Sequence, residues 1–119
     1  MFKIKQKKNK KVLKQAEHIL NIGESLQKEG KFDEAITCYQ NAIKLNPHFA
    51  KAYYNLGTAF KEKGETNKAI IHYQTAIRLC PDFPEPYNSL GNALQDQGKL
   101  EEAEEYYRHA LKIKPDCQV

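Results

Sequence analysis

The chain has no tryptophan and a single methionine, and no apolar run approaches the roughly 18 residues that a membrane-spanning helix needs. Its first 15 residues hold seven lysines and no acid. That start also lacks an apolar core and a small-residue cleavage site, so it does not read as a secretory signal. Phe2 follows Met1 where N-myristoylation would require glycine. Cysteine is scarce: Cys38, Cys80 and Cys117 stand far apart, with no CxxC or zinc-type spacing. An odd, scattered set of this kind reads as free thiols in a reducing compartment, and the expected location is cytoplasmic. His18, His48, His72 and His109 form no HExxH pattern. Ser25 and Ser89 have no base in view, and no glycine-rich loop is built to cradle phosphate. The run "LEEAEEYY" sets Glu101, Glu102, Glu104 and Glu105 near a helix start, where acids suit the helix dipole and a solvated face. The sequence therefore offers no catalytic residues, no metal ligands and no cofactor site.

What is present is one small domain's worth of chain with an ordinary soluble composition, 40% hydrophobic and 29% charged. The net charge of +4 averages two unlike parts. Beyond residue 15 the chain carries 12 basic and 15 acidic residues, so a mildly acidic body follows a basic tail.

That body repeats itself. Displaced by 34 residues, Gly23, Gly57 and Gly91 coincide, as do Gly30, Gly64 and Gly98. The same shift superposes Ala35, Ala69 and Ala103; Tyr39, Tyr73 and Tyr107; Ala42, Ala76 and Ala110; and Pro47, Pro81 and Pro115. Apolar columns run through Ile22, Leu56 and Leu90, through Leu26, Phe60 and Leu94, and through Ile43, Ile77 and Leu111. A period of this length implies an array of stacked units. Each unit reads as two helices. Tyr53, Leu56, Gly57 and Phe60 recur at spacings of three and four along one face. Gly64 follows as a left-handed C-cap, and Asp33 in the first copy, or Thr66 or Asn67 in the second, is placed to cap the next helix. Pro81 closes that helix, and Pro84 and Pro86 fall in a first turn, where a missing N–H costs little. Glycine inside a helix is worth about 1 kcal/mol less than alanine, so Gly57 requires a compensating close approach, expected against Ala69 with Tyr73 filling the gap to the next unit.

These residues resemble the tetratricopeptide repeat (TPR) family: the pattern W-x2-L-G-x2-Y…A-x3-F…A…P is met in the second copy as Y-x2-L-G-x2-F…A-x3-Y…A…P. Tyr53 and Tyr87 stand where the family often has tryptophan, with Ile19 in the first copy. The resemblance divides the chain into a basic tail (1–15), three units (16–49, 50–83, 84–117) and a short end (118–119). It implies an all-α solenoid of antiparallel helix-turn-helix units in a right-handed superhelix, whose first helices line a concave groove for a partner's peptide segment. On that geometry the groove contacts are Asn21, Lys51, Tyr54, Asn55, Asn88 and Asn92, within a polar lining that also takes in Leu20, Glu24, Thr58 and Ser89. One TPR variety clamps a C-terminal carboxylate with lysine, arginine and asparagine. Here only Asn55 and Lys51 match it, and Glu24 and Glu85 would repel a carboxylate. Asn21 and Asn55 share a repeat position, with Asn88 one residue early and Asn92 a turn on, which is similar to the asparagine ladder of the O-linked N-acetylglucosamine transferase arrays. An amide offers donor and acceptor together and pairs with any extended backbone. The expected function is a noncatalytic adaptor for a protein or peptide, or alternatively the substrate-presenting part of a larger transferase.

The two ends carry separate expectations. Val12 and Leu13 extend the first helix back to about residues 8–11, leaving residues 1–7 ahead of it. The lysine cluster suits a solubilising tail, a tether to anionic lipid, nucleic acid or an acidic partner, or an import signal in "KQKKNKK". At the other end, Tyr107, Ala110 and Leu111 form a stripe without a following unit, softened by Glu104 where earlier copies have Ile36 and Ile70. The stripe is expected either to pair with another molecule, self-association included, or to have been joined to more repeats or a catalytic domain.

Overall fold

A computed structural model of the chain describes residues 2–113, with side chains from residue 9 onward. Six α-helices account for nearly all of it: α1 (Phe2–Lys28), α2 (Phe32–Leu45), α3 (Ala50–Glu62), α4 (Thr66–Leu79), α5 (Pro84–Asp96) and α6 (Leu100–Lys112). They pair as three hairpins, and each hairpin packs on the next, so the fold is an all-α solenoid with extents of 52 × 32 × 18 Å. α1 also touches α3, and α3 touches α5, which sets the first helices side by side along one face. α1 begins at Phe2, earlier than the expected 8–11, and overhangs its partner α2 by more than three turns. No helix among the described residues is long and apolar enough to cross a membrane.

The turn inside each hairpin is made by backbone alone. Gly64 has φ +86°, and its N–H donates to the Lys61 carbonyl at 2.9 Å, while the Glu65 N–H donates to Phe60 at 2.9 Å. Gly30 with Lys31 and Gly98 with Lys99 repeat the same pair of bonds onto Gln27 and Leu26, and onto Gln95 and Leu94. This is a Schellman motif, which needs a residue that tolerates the left-handed region. The residue that closes each motif also opens the next helix, because Glu65 accepts from Ala69 as Lys31 does from Ala35. The expected side-chain caps are thus corrected. Asp33, Thr66 and Asn67 lie inside the first turn, and Lys31, Glu65 and Lys99 are the N-caps without a side-chain bond.

The helix glycines do what their compensation required. A methyl group on Gly57 would stand 2.8 Å from two Tyr73 ring carbons and 3.1 Å from the Ala69 carbonyl oxygen. Gly23 meets Tyr39 and Gly91 meets Tyr107 in the same way. The tyrosine lies over the glycine of its own hairpin, and Tyr39 and Tyr73 also join the clusters that continue into the following unit, with Leu56 and Leu90. Leu20, expected in the groove, is buried in that core. Cys38 is a free thiol, but Cys80 is disulfide-bonded. The expectation of three free thiols is corrected there, and its support for a reducing compartment goes with it. Lys114, Pro115 and Cys117 lie outside the described residues.

His72 on α4 stacks on Phe60 of α3, with ring centroids 5.3 Å apart and planes 11° apart, and burial lowers its pKa below 6.5. The unfolded chain therefore binds this proton more readily, and stability falls as pH drops below 6.5 toward the depressed folded value. His72→Phe removes that step, which urea unfolding compared across pH 7 to 5, with and without the substitution, checks directly. Gly57→Ala gains helix propensity but forces the buried Tyr73 ring aside, for a net loss of about 1–2 kcal/mol in urea unfolding.

Candidate functional site

The face shared by α1, α3 and α5 is tied across by polar side chains. Glu24 on α1 is held from α3 twice, by the Asn55 amide at 3.1 Å and the Lys51 ammonium at 3.8 Å, two residues one turn apart. Further along, Gln27 donates to Glu62 at 2.8 Å and accepts the Tyr39 hydroxyl at 2.6 Å. Between these ties lies a cleft of about 480 Å³ lined by Glu24, Gln27, Lys28, Tyr39, Tyr54, Asn55, Thr58 and Glu62.

Tyr54 forms one wall. Its ring packs edge-on to Phe83 at 5.4 Å and against Tyr73 at 5.8 Å, and its hydroxyl accepts from Ser89 at 3.4 Å. Thr58 and Tyr73 share a hydroxyl contact of 3.1 Å. From α3 to α5 the face continues through Lys61 and Asp96, 3.4 Å apart. On α5 the Tyr107 hydroxyl reaches Asn92 at 2.5 Å and Gln95 at 2.9 Å.

The six expected contact residues thus fall into three groups. Lys51, Tyr54 and Asn55 meet at the cleft between α1 and α3 or on its rim. Asn92 on α5 stands beside Tyr107 of α6, and Asn88 is exposed on α5. Asn21 is exposed on α1. Position in the repeat does not give equal surroundings: Asn55 and Ser89 each reach back to the preceding first helix, onto Glu24 and Tyr54, whereas Asn21 lies on the first helix of the described residues.

The tyrosine column contributes more than packing. Three hydroxyls, from Tyr39, Tyr73 and Tyr107, emerge on this face, each bonded to a first-helix side chain. The column holds tyrosine in all three copies and never phenylalanine, a signal in the sequence that the oxygen is used. Burial raises the pKa of Tyr39, helped by Glu24, Cys38 and Glu62, and burial likewise raises that of Tyr73. Both hydroxyls stay protonated donors at neutral pH. Chemically the face is a row of amides, hydroxyls and alternating charges over an aromatic floor, suited to hydrogen bonding with an extended chain.

A family profile for TPR repeats matches residues 23–64 and 57–98, and one for the tetratricopeptide repeat matches 84–117; the chain belongs to the TPR family. Among solved structures, the chain is similar to MamA, 36% identical with a TM-score of 0.78, covering 82% of this chain and 57% of that one. A second MamA structure, also 36% identical, matches with a TM-score of 0.76 over 82% of this chain and 53% of that one. The chain therefore spans little more than half the length of those proteins. The second TPR of Spaghetti (RPAP3), bound to the HSP90 peptide SRMEEVD, is 26% identical with a TM-score of 0.81 over 86% of this chain and 94% of that one. No curated protein sequence matches the chain significantly.

The unequal surroundings of the two equivalent asparagines are measurable. Asn55→Ala deprives Glu24 of a donor and lowers unfolding free energy by about 1–2 kcal/mol, because water reaches the carboxylate and holds the loss to the low end. Asn21→Ala, on an open helix surface, changes it by less than about 0.5 kcal/mol. Parallel urea titrations of the two variants check the difference.

Proposed function

We propose that the protein is a noncatalytic interaction module that holds an extended peptide segment along the face of α1, α3 and α5. The observation that carries this reading is the cleft between α1 and α3, where Tyr54, Thr58, Gln27 and Tyr39 converge under the Glu24 and Glu62 ties. Likeness to a TPR unit seen with a bound peptide supports a peptide as the kind of ligand. Asn21, Lys51, Tyr54, Asn55, Asn88 and Asn92 are the contact residues, and the three hairpins serve as units 16–49, 50–83 and 84–117 after a tail of 1–15.

The chemistry of the cleft selects among peptides. Lys51 and Asn55, the two residues in common with a carboxylate clamp, are already engaged by Glu24. A terminal carboxylate arriving there meets a fixed negative charge, so the preferred ligand is an internal segment read through its backbone. Asn55 offers its remaining carbonyl oxygen and Asn92 its amide nitrogen, since Asn55 gives an N–H to Glu24 while the Asn92 oxygen receives Tyr107. The asparagine positions also support a second reading, the substrate-presenting part of a transferase. Only Asn21 and Asn55 keep the repeat position for it, and only Asn21 of those two is free of an internal tie to Glu24.

Peptides selected from a displayed library of unstructured segments, titrated by fluorescence anisotropy, test the proposal. Asn92→Ala should weaken a selected peptide by the loss of one neutral hydrogen bond, about 0.5–1.5 kcal/mol or roughly 2- to 12-fold, and Tyr54→Ala should weaken it further. Equal affinity in the double variant, with loss only on removal of the lysine-rich segment, would sink the groove and leave the basic tail as the binding element.

A further inference from the structure

In the second and third hairpins the first helix lays a tyrosine ring against the second helix. Tyr53 lies 6.3 Å from His72, and Tyr87 stacks on His109 at 5.6 Å while its hydroxyl donates to the Pro81 carbonyl at 3.0 Å. The first hairpin has Ile19 at the same repeat position, without a ring. Next to Ile19 an open hollow of about 600 Å³ lies between α1 and the end of α2. Ile19 and Leu45, both partly buried against the core, supply its apolar floor, and Lys11, Lys14, Gln15 and His18 of α1 form the rest. Lys11 already stands more than two turns inside α1, so the hollow belongs to the side of one hairpin, between its own two helices.

We infer that this hollow is a second binding site, apart from the cleft of α1 and α3, and that its occupant is one aromatic side chain on an extended acidic segment of a partner protein. The ring takes the place beside Ile19 that Tyr53 and Tyr87 fill from within in the other hairpins. Charge defines what surrounds the ring. Lys11, Lys14 and His18 follow one another at three and four residues along one side of α1, a row about 10 Å long. Among the described residues neither lysine has an ion-pair partner. No lining residue is acidic, and Glu17, the one acid among residues 11–23, does not line the hollow. An extended segment presents alternate residues on one face, about 7 Å apart. Acids two places to either side of the aromatic residue therefore reach the two ammonium groups while the ring enters between them. A purely apolar occupant leaves both ammonium groups to water, and a purely acidic one leaves the floor of Ile19 and Leu45 wet. Only the two features together use the whole lining.

The test is fluorescence anisotropy on the intact chain with a fluorescein-labelled peptide that holds one phenylalanine, a glutamate two residues to each side of it and serine elsewhere. Its binding should weaken as salt is added, and alanine in place of the phenylalanine should weaken it at least about tenfold. Ile19→Tyr gives the first hairpin the ring that the others have and leaves every charge in place. It should abolish binding while keeping the wild-type circular dichroism. Gln15→Glu, at an exposed position, sets a like charge in the hollow and should weaken binding as well. Tyr54→Ala and Asn92→Ala, which alter the other face, should leave it unchanged. Affinity unaltered by both Ile19→Tyr and Gln15→Glu, or equal affinity for the alanine peptide, would overturn the inference and leave only diffuse attraction to the lysines. So would failure of the peptide to bind, and if phosphatidylserine vesicles bind in its place, the occupant is a membrane.

Discussion

Each hairpin depends on a tyrosine ring packed against a helix at a residue that has no side chain. Gly57 leaves the α3 backbone bare, and Tyr73 from α4 occupies the space a methyl group would need. The arrangement accepts a poor helix former in mid-helix in return for burying one of the largest side chains in the core. It also fixes where the phenol oxygen ends. With the ring pressed on the glycine, the hydroxyl comes out on the face of the first helices, beside Thr58 in the second hairpin and Gln27 in the first. Packing and site geometry are thus one constraint: the contact that closes the hairpin also aims a donor at the cleft.

Much of this was legible in the sequence because the repeat multiplies each weak signal by three. The helices, the left-handed glycines, the prolines of the first turn and the glycine–tyrosine columns all follow from periodicity and turn chemistry. What periodicity conceals is the difference between copies. Asn21 and Asn55 are equivalent by position and unlike in environment, because among the described residues only Asn55 faces a preceding first helix. The start of α1 is hidden for a related reason, since a lysine-rich segment has no apolar stripe to mark it as helical. The side-chain caps failed because the Schellman bonds satisfy the turn from the backbone, leaving Asp33 no orphan N–H that defines the helix start.

Polar ties across the first helices give the face a particular character. Glu24 with Lys51 and Asn55, Gln27 with Glu62, and Lys61 with Asp96 link neighbouring units through partly exposed side chains. The two ion pairs among them, Glu24–Lys51 and Lys61–Asp96, contribute little to stability, about 0–1 kcal/mol each. Their worth lies in orientation: the amides and carboxylates are held in place before any ligand arrives, which lowers the ordering cost of binding. The apolar core between the hairpins carries the stability, and the face is left free to vary.

The backbone turn between paired helices has no slack. Glu65 both finishes the closure of α3 and begins α4, so no residue in that turn is available to absorb a change in length. One residue inserted there would turn α4 by about 100° about its axis, carrying Tyr73 off the glycine and its oxygen away from the cleft. Such a chain can grow or shrink by whole units but not by single residues.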